Sequence, residues 1–278
     1  MNTKDLKRRI TGVKETAKIT NAVYLISASK MRRAKENFFS ANLFLDEVRG
    51  AAKRLMSSNC ANNHPFFQQR EGNRVAYVII GGDKGLCGDY NQLIINASDA
   101  SMKNKKVTNI FAVGTIIKDY YEKKGGIRVN NSYVHIFPDP MPEDARAIAD
   151  DLCSDFKEKK MDKAYIIFTK ADKLSQQKIT IKKILPLDIL DSKEEIVYLS
   201  KNNTFDKVLN QYVWARIYQA ICSASYAENY KRMISMQEAT SNAERIIDDL
   251  NKTYNQERQE SITNALLDAT TAHMSRNF

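Results

Sequence analysis

Each end of this chain carries an unbroken apolar stripe, and neither stripe can be buried by its own helix. In the N-terminal arm the 4-3 spacing runs Leu6, Ile10, Val13, Ala17, Thr20, Tyr24, Ser27, Met31, Ala34, Phe38, Ala41, Leu45, Val48, Ala52, Leu55. The C-terminal arm repeats it at Phe205, Val208, Tyr212, Ala215, Gln219, Cys222, Tyr226, Asn229, Met233, Met236, Thr240, Ala243, Ile247, Leu250 and Tyr254. Such spacing keeps one face of a supercoiled helix apolar and demands a partner helix. The two ends are therefore expected to pair as one long antiparallel coiled coil, with the intervening segment bringing the chain back.

Helix breakers fall where this scheme needs them. All five prolines lie between Pro65 and Pro186, and no glycine follows Gly126. Gly12 and Gly50 are the only glycines in the first arm. At about 1.5 Å rise per residue, arms of roughly 55–70 residues would reach on the order of 80–100 Å. Small seam residues, among them Ala17, Thr20, Ser27, Ala34, Ala215, Cys222, Thr240 and Ala243, allow close approach of the helix axes and predict a thin, stiff rod. After Tyr254 the register lapses into a looser set, Ile262, Leu266 and Ala269. The last segment is expected to run past its partner helix and meet another protein.

Between Asn73 and Leu190 the period changes. Arg74–Ile80, Ile110–Val113, Ser132–Phe137 and Ala164–Thr169 are short β-branched and aromatic runs bounded by turn residues. Tyr90–Met102, Thr115–Lys124 and Glu143–Lys160 read as helices between them, the last with acidic residues in its first turn. Alternating strand and helix predicts a mostly parallel sheet covered on both faces. Lys178–Leu185 follows the fourth strand with no room for a crossover helix, so a hairpin is expected at that edge. The fold class is thus α/β with long helical arms, a Rossmann-like head flanked by an antiparallel coiled coil. The expected domains are 1–60, 70–192 and 205–278.

Composition excludes several classes. With 43% hydrophobic and 27% charged residues, the chain is an ordinary folded protein. No run approaches the roughly 20 apolar residues that span a bilayer. The opening MNTKDLKRRITGVKET has no apolar signal core, so a cleavable targeting segment is not expected. Cys60, Cys87, Cys153 and Cys222 are scattered without a CxxC pair, which predicts reduced thiols and no structural zinc. Net charge is +10, and residues 1–54 hold thirteen Lys/Arg against five Asp/Glu. A basic arm suits an acidic partner, either nucleic acid or an acidic protein cavity. Coiled-coil outer faces are charged in any case, so charge alone does not choose between these.

Chemical motifs are sparse. GGDKGLCGDYN, Gly81–Asn91, follows the first strand and opens a helix, where phosphate loops sit. Its spacing matches neither GxGxxG nor GxxxxGK[ST], and a tight turn beside a partner surface is the plainer reading. His64, His135 and His273 lie in different regions. Cys87 has no neighbouring His or Asp to activate it. The pairs Asp150/Asp151, Glu194/Glu195 and Asp248/Asp249 read as solvated helix faces. A non-catalytic component is expected.

Three stretches resemble the gamma subunit of F-type ATP synthases: LKRRITGVKETAKIT…SASKMRRA (Leu6–Ala34), GDKGLCG (Gly82–Gly88) and RMISMQEATSNA…YNQERQESIT (Arg232–Thr263). They occur in the family's order across the whole chain. The resemblance implies a central rotor shaft, with one gamma in a ring of three alpha and three beta subunits, beside epsilon and on the c-subunit ring. It implies rotation driven by proton or sodium flow, ATP chemistry at the beta subunits, and no cofactor on this chain, ATP, ADP and Mg being held by alpha and beta. It also implies indirect membrane association on the cytoplasmic face of a bacterial plasma membrane.

By the same resemblance, contacts with the alpha/beta ring fall on Lys7, Arg8, Arg9, Val23, Arg232, Arg258, Gln259 and Thr263. The foot turn, toward epsilon or the c ring, is Gly82, Asp83, Lys84, Gly85 and Gly88. Lys30, Arg32 and Arg33 extend the basic cluster toward acidic stator loops. The chain departs from the family pattern at Val23, usually methionine, at Gly88-Asp89-Tyr90-Asn91 in place of GGFN, at Ala265 in place of a glutamate, and in a polar tail from Thr270 to Phe278. The competing readings are a diverged basic coiled-coil paralogue that binds nucleic acid or an acidic protein, and a nucleotide-dependent enzyme on the α/β head. Steep salt-dependent DNA binding would mark the first, and saturable ligand binding at Gly82–Gly88 the second. Neither is favoured, and no nucleic acid is expected as a partner.

Overall fold

A computed structural model describes residues 3–56, 64–130, 132–137, 139–171, 178–188 and 202–274. Cys60, Glu194/Glu195, the side chain of His273 and the tail beyond Met274 lie outside the described residues. Ten elements and a short 3-10 turn follow in order: α1 (Thr3–Met56), the 3-10 turn (Pro65–Phe67), β1 (Arg74–Ile80), α2 (Tyr90–Met102), β2 (Lys106–Val113), α3 (Thr115–Lys124), β3 (Val129–Asn130), α4 (Pro142–Lys157), β4 (Lys163–Lys170), β5 (Lys178–Leu185) and α5 (Asn202–Met274). The chain forms two units, one of Met1–Ile26 with Met233–Phe278 and one of Ser27–Arg232.

In the first unit the ends of α1 and α5 pair. Thr20 and Thr240 hydroxyls meet at 2.7 Å, which fixes an antiparallel register. Leu6, Ile10, Met236 and Ala243 are buried along the seam, while Val13, Ala17, Ile247, Leu250 and Tyr254 are half-buried. Apolar residues off the 4-3 positions stay in solvent, among them Ile19, Leu25, Ile26, Ile246, Ile262, Leu266 and Leu267. Burial therefore follows the period of the sequence and not hydrophobicity alone. From Arg258 to Thr270 every side chain is exposed. The Thr20–Thr240 register places Thr3 opposite Glu257, so α5 has no described α1 residue beside it beyond that point.

The second unit is built on a five-stranded sheet of order β3-β2-β1-β4-β5. The first four strands are parallel and β5 is antiparallel to β4, as the missing crossover required. After Arg74, β1 is continuously apolar from Val75 to Ile80 because both of its faces are covered. Ala76, Val78 and Ile80 pack with α4, the end of α1 and the start of α5. Val75, Tyr77 and Ile79 pack with α2, α3 and the middle of the two long helices. Of the remaining described seam positions of α1, Ser27, Ala34, Phe38, Ala41, Val48 and Ala52 are buried in this unit, and Met31 and Leu45 are half-buried.

Two expectations need correction. Ser132–Phe137 is not a strand; β3 is the dipeptide Val129–Asn130, paired to Ile110 and Phe111. The N–H groups of His135 and Phe137 donate to the Asp83 carboxylate and not to a ladder. His135 also has φ of 66°, which interrupts an extended run. Tyr133, Ile136 and Phe137 are apolar because they are buried under a loop. Helix α4 begins at Pro142 and ends at Lys157, three residues before the expected end, where Lys159 turns to φ 58°.

Candidate functional site

The glycine-rich turn after β1 is bonded to β2, α2, α3 and α5. Gly81 donates its N–H to Val113 O at 2.9 Å and Gly82 donates to Asn91 Oδ1 at 2.8 Å. These bonds tie the turn to β2 and to the first turn of α2. Both glycines are required by contact, since a Cβ on Gly81 would overlap Ile117 and one on Gly82 would overlap Glu228 Oε1. Gly88 has φ of 59°, a conformation that glycine adopts without steric cost.

Asp83 organises the facing loop. Its carboxylate accepts from Thr115 N and Oγ1, each at 2.8 Å, from His135 N at 3.0 Å and from Phe137 N at 3.2 Å. Burial opposes its ionisation, but these four bonds outweigh it and hold the carboxyl below its ordinary pKa. One side chain thereby caps α3 and replaces the ladder that Ser132–Phe137 lacks.

Arg232 closes the other side. Its Nε donates to Gly85 O at 3.2 Å, and Nη2 donates to Lys84 O at 3.1 Å and to Glu228 Oε1 at 2.6 Å. The Glu228 side chain is only 3% exposed. Burial pushes the Glu228 pKa up against the pull of Arg232, while the same contact keeps the guanidinium charged. Lys231 adds an ion pair to Asp89 at 2.9 Å. The turn is thus clamped to one stretch of α5 by two consecutive cations.

This geometry argues against a nucleotide loop. The space between Lys30, Asp83, Lys84, Phe137, Glu228 and Arg232 is about 40 Å³, far below the roughly 300–1,000 Å³ of small-molecule sites. Cys87 is buried, accepts from Asn91 Nδ2 at 3.3 Å and has its pKa raised by burial and by Glu228. A thiol so placed stays protonated and is a poor nucleophile. Among the described residues no cluster of three His, Cys, Asp or Glu could hold a metal ion.

The residues singled out from the sequence separate into two places. Gly82, Asp83, Lys84, Gly85 and Gly88 form the turn with Arg232, whose guanidinium is engaged within the chain. Lys7, Arg8, Arg9, Arg258, Gln259 and Thr263 are exposed in the helix-pair unit, and Val23 is half-buried there. Gln259 and Thr263 lie one helical turn apart on the same exposed face, beside Glu260 and Asn264. Arg33 of the basic cluster pairs with Asp139 at 2.9 Å. Sequence reasoning missed Glu228 and Asn91. Glu228 had a legible signal, a carboxylate four residues before Arg232 in an otherwise apolar run of α5.

A family model described as ATP synthase matches residues 2–273. The ATP synthase gamma chain of Caldanaerobacter subterraneus subsp. tengcongensis is 31% identical, with 98% of this chain and 99% of that one covered. The ATP synthase gamma chain of Heliobacterium modesticaldum is 31% identical over 94% of each chain. Among solved structures, a chain of the Euglena gracilis mitochondrial ATP synthase, OSCP/F1/c-ring, superposes with a TM-score of 0.71 at 16% identity. That match covers 98% of this chain and 94% of that one.

Proposed function

Because the chain belongs to the ATP synthase gamma-chain family, we infer that it is the rotor subunit of an F-type ATP synthase, a non-catalytic component that carries rotation between the c ring and the catalytic beta subunits. Its partners are the alpha and beta subunits, one such chain to a ring of three and three, together with epsilon and the c-subunit ring. No helix among the described residues is long and apolar enough to cross a membrane, and association with the membrane is through the complex.

The observation that carries this reading is the segregation along the paired helices. Every described 4-3 position is shielded, while Ile19, Ile26, Ile246, Ile262 and Leu266 face outward. A single polar-faced coiled coil would not place large apolar residues in water; a shaft that turns inside a protein sleeve does. Torque storage also needs stiffness. One charge moved through about 100 mV supplies roughly 2.3 kcal/mol, and bending at a glycine or proline would dissipate it. Gly12 is the only such residue in the helix-pair unit.

The finer assignments belong to the same proposal. Arg258, Gln259, Thr263, Lys7, Arg8, Arg9 and Val23 meet the alpha/beta ring. Exposed cations of this kind contribute about 0–1 kcal/mol each, weak enough to be made and broken on every turn. The glycine turn belongs to the foot of the rotor, toward epsilon or the c ring. ATP, ADP and Mg are held by alpha and beta. The complex sits on the cytoplasmic face of a bacterial plasma membrane. Co-expression with the host's alpha and beta subunits, followed by size-exclusion chromatography and ATPase assay, tests the whole. A single complex containing one copy of this chain, with ATPase activity that depends on it, is expected; elution of the chain alone would refute the assignment.

A further inference from the structure

The glycine turn brings two carboxylates to one small space, and they are provided for unequally. Asp83 accepts four hydrogen bonds. For Glu228, whose side chain is 3% exposed, the one donor among the described residues is Arg232 Nη2. The groups that face the Glu228 carboxylate come from every element around it. Arg232 lies on its own helix, Lys30 on α1, Asp83, Lys84 and Cys87 in the turn, and Tyr90 at the start of α2. Burial keeps Cys87 and Tyr90 protonated, and Asp83 adds a second negative charge. Against it stand Arg232, in contact, and Lys30 and Lys84, both exposed.

What keeps water from Glu228 is backbone. Gly82 lies against Oε1, and the carbonyls of Lys84 and Gly85 are held over Arg232 at 3.1 and 3.2 Å. The tip has little else to hold it. Lys84, Gly85 and Leu86 are exposed, and a Cβ on Gly85 would meet nothing within 4 Å. Segments with few buried contacts open at lower free energy than the core. We propose that Gly82–Gly85 is a proton-responsive lid over the Glu228–Arg232 pair. An ionised carboxylate gains hydration when the lid lifts, and a protonated one gains far less. Acid therefore holds the lid shut, and rising pH favours the open turn. Burial under the closed lid raises the Glu228 pKa, which has the same sign, since the closed form then binds the proton more tightly. Opening frees Arg232 from two carbonyls, so the lid switches that guanidinium between an internal clamp and a surface cation. The device does not depend on the rotor reading.

Native-state hydrogen exchange of the full chain between about pH 5 and 8 tests it, corrected for the intrinsic pH dependence of amide exchange. The Gly82 N–H, bonded to Asn91 Oδ1, reports the lid, and that of Val78 in the middle of β1 reports global unfolding. Gly82 is expected to open more readily than Val78 at every pH. Its opening constant should rise by up to about tenfold per pH unit while Glu228 titrates. Glu228→Gln should abolish that rise. Lys30→Gln, at an exposed position, removes a charge that favours ionisation of Glu228 and should move the rise to higher pH. A Gly82 opening constant equal to that of Val78, one that does not change with pH, or a rise that survives Glu228→Gln would overturn the proposal. Should Glu228→Gln not fold, an unmoved rise in Lys30→Gln overturns it equally.

Discussion

Gly82 lies against Glu228 so closely that a Cβ at this position would overlap the carboxylate oxygen Oε1. The same oxygen accepts from Arg232, so the glycine, the buried acid and the clamp on the turn form one contact. Gly82→Ala should destabilise the chain by about 1–3 kcal/mol through overpacking. Gly85→Ala meets nothing within 4 Å and should leave stability within about 1 kcal/mol of the parent. Urea denaturation of the two variants side by side checks the contrast.

The pH dependence of stability should carry a signature of Glu228. Burial raises its pKa above the ordinary 4.5, so between 4.5 and that raised value the folded state holds a proton that the unfolded state has released. Its contribution to stability is therefore complete below about pH 4.5 and declines as pH rises through the folded pKa. Glu228→Gln removes the titration. The difference in urea midpoint between parent and variant should change as pH rises above about 4.5; a constant difference would show that Glu228 titrates alike in the folded and unfolded chain.

Arg232 and Arg258 should behave differently although both are arginines of α5. Arg232→Ala strips donors from Glu228, Lys84 and Gly85 and leaves a buried carboxylate unpaired, at a cost of roughly 3–5 kcal/mol. Arg258→Ala and Thr263→Ala alter exposed groups and should shift stability by no more than about 0.5 kcal/mol. In a reconstituted complex, however, the last two should lower the coupling of ATPase activity to ion pumping. Melting curves of the isolated chain and pumping assays of the complex separate the two effects.

The helix seam should not tolerate bulk. Ala243 is 6% exposed, and the Thr20–Thr240 register sets it opposite Ala17. Ala243→Leu should force the helices apart, at about 1–3 kcal/mol, whereas Ala239→Leu, half-buried and off the 4-3 positions, should cost less. Circular dichroism during heating reads the difference directly.

Much of this architecture was legible before any coordinates, for a physical reason. A 4-3 stripe and a β-branched run are local patterns, and burial acts on them in proportion to their period. Thus α2, α3, β1 and β5 have the limits that the sequence implied, and every described seam position is shielded. Ser132–Phe137 misled because apolar residues under a loop are buried as surely as those in a strand; only the destination of their N–H groups differs, and Asp83, some fifty residues earlier, decides that. Glu228 was hidden likewise. A carboxylate on a long helix reads as solvated until Gly82 and the glycine turn fold against it.

The sequence by itself determined that two long helices must pair, that an α/β sheet lies between them, and that no familiar catalytic set is present. Periodicity, turn residues and residue types carry that information locally. Only the tertiary structure decided which charges are buried and which carbonyls Arg232 holds. Those depend on contacts between residues 32 to 148 positions apart, where no local pattern constrains distance and desolvation sets the energy.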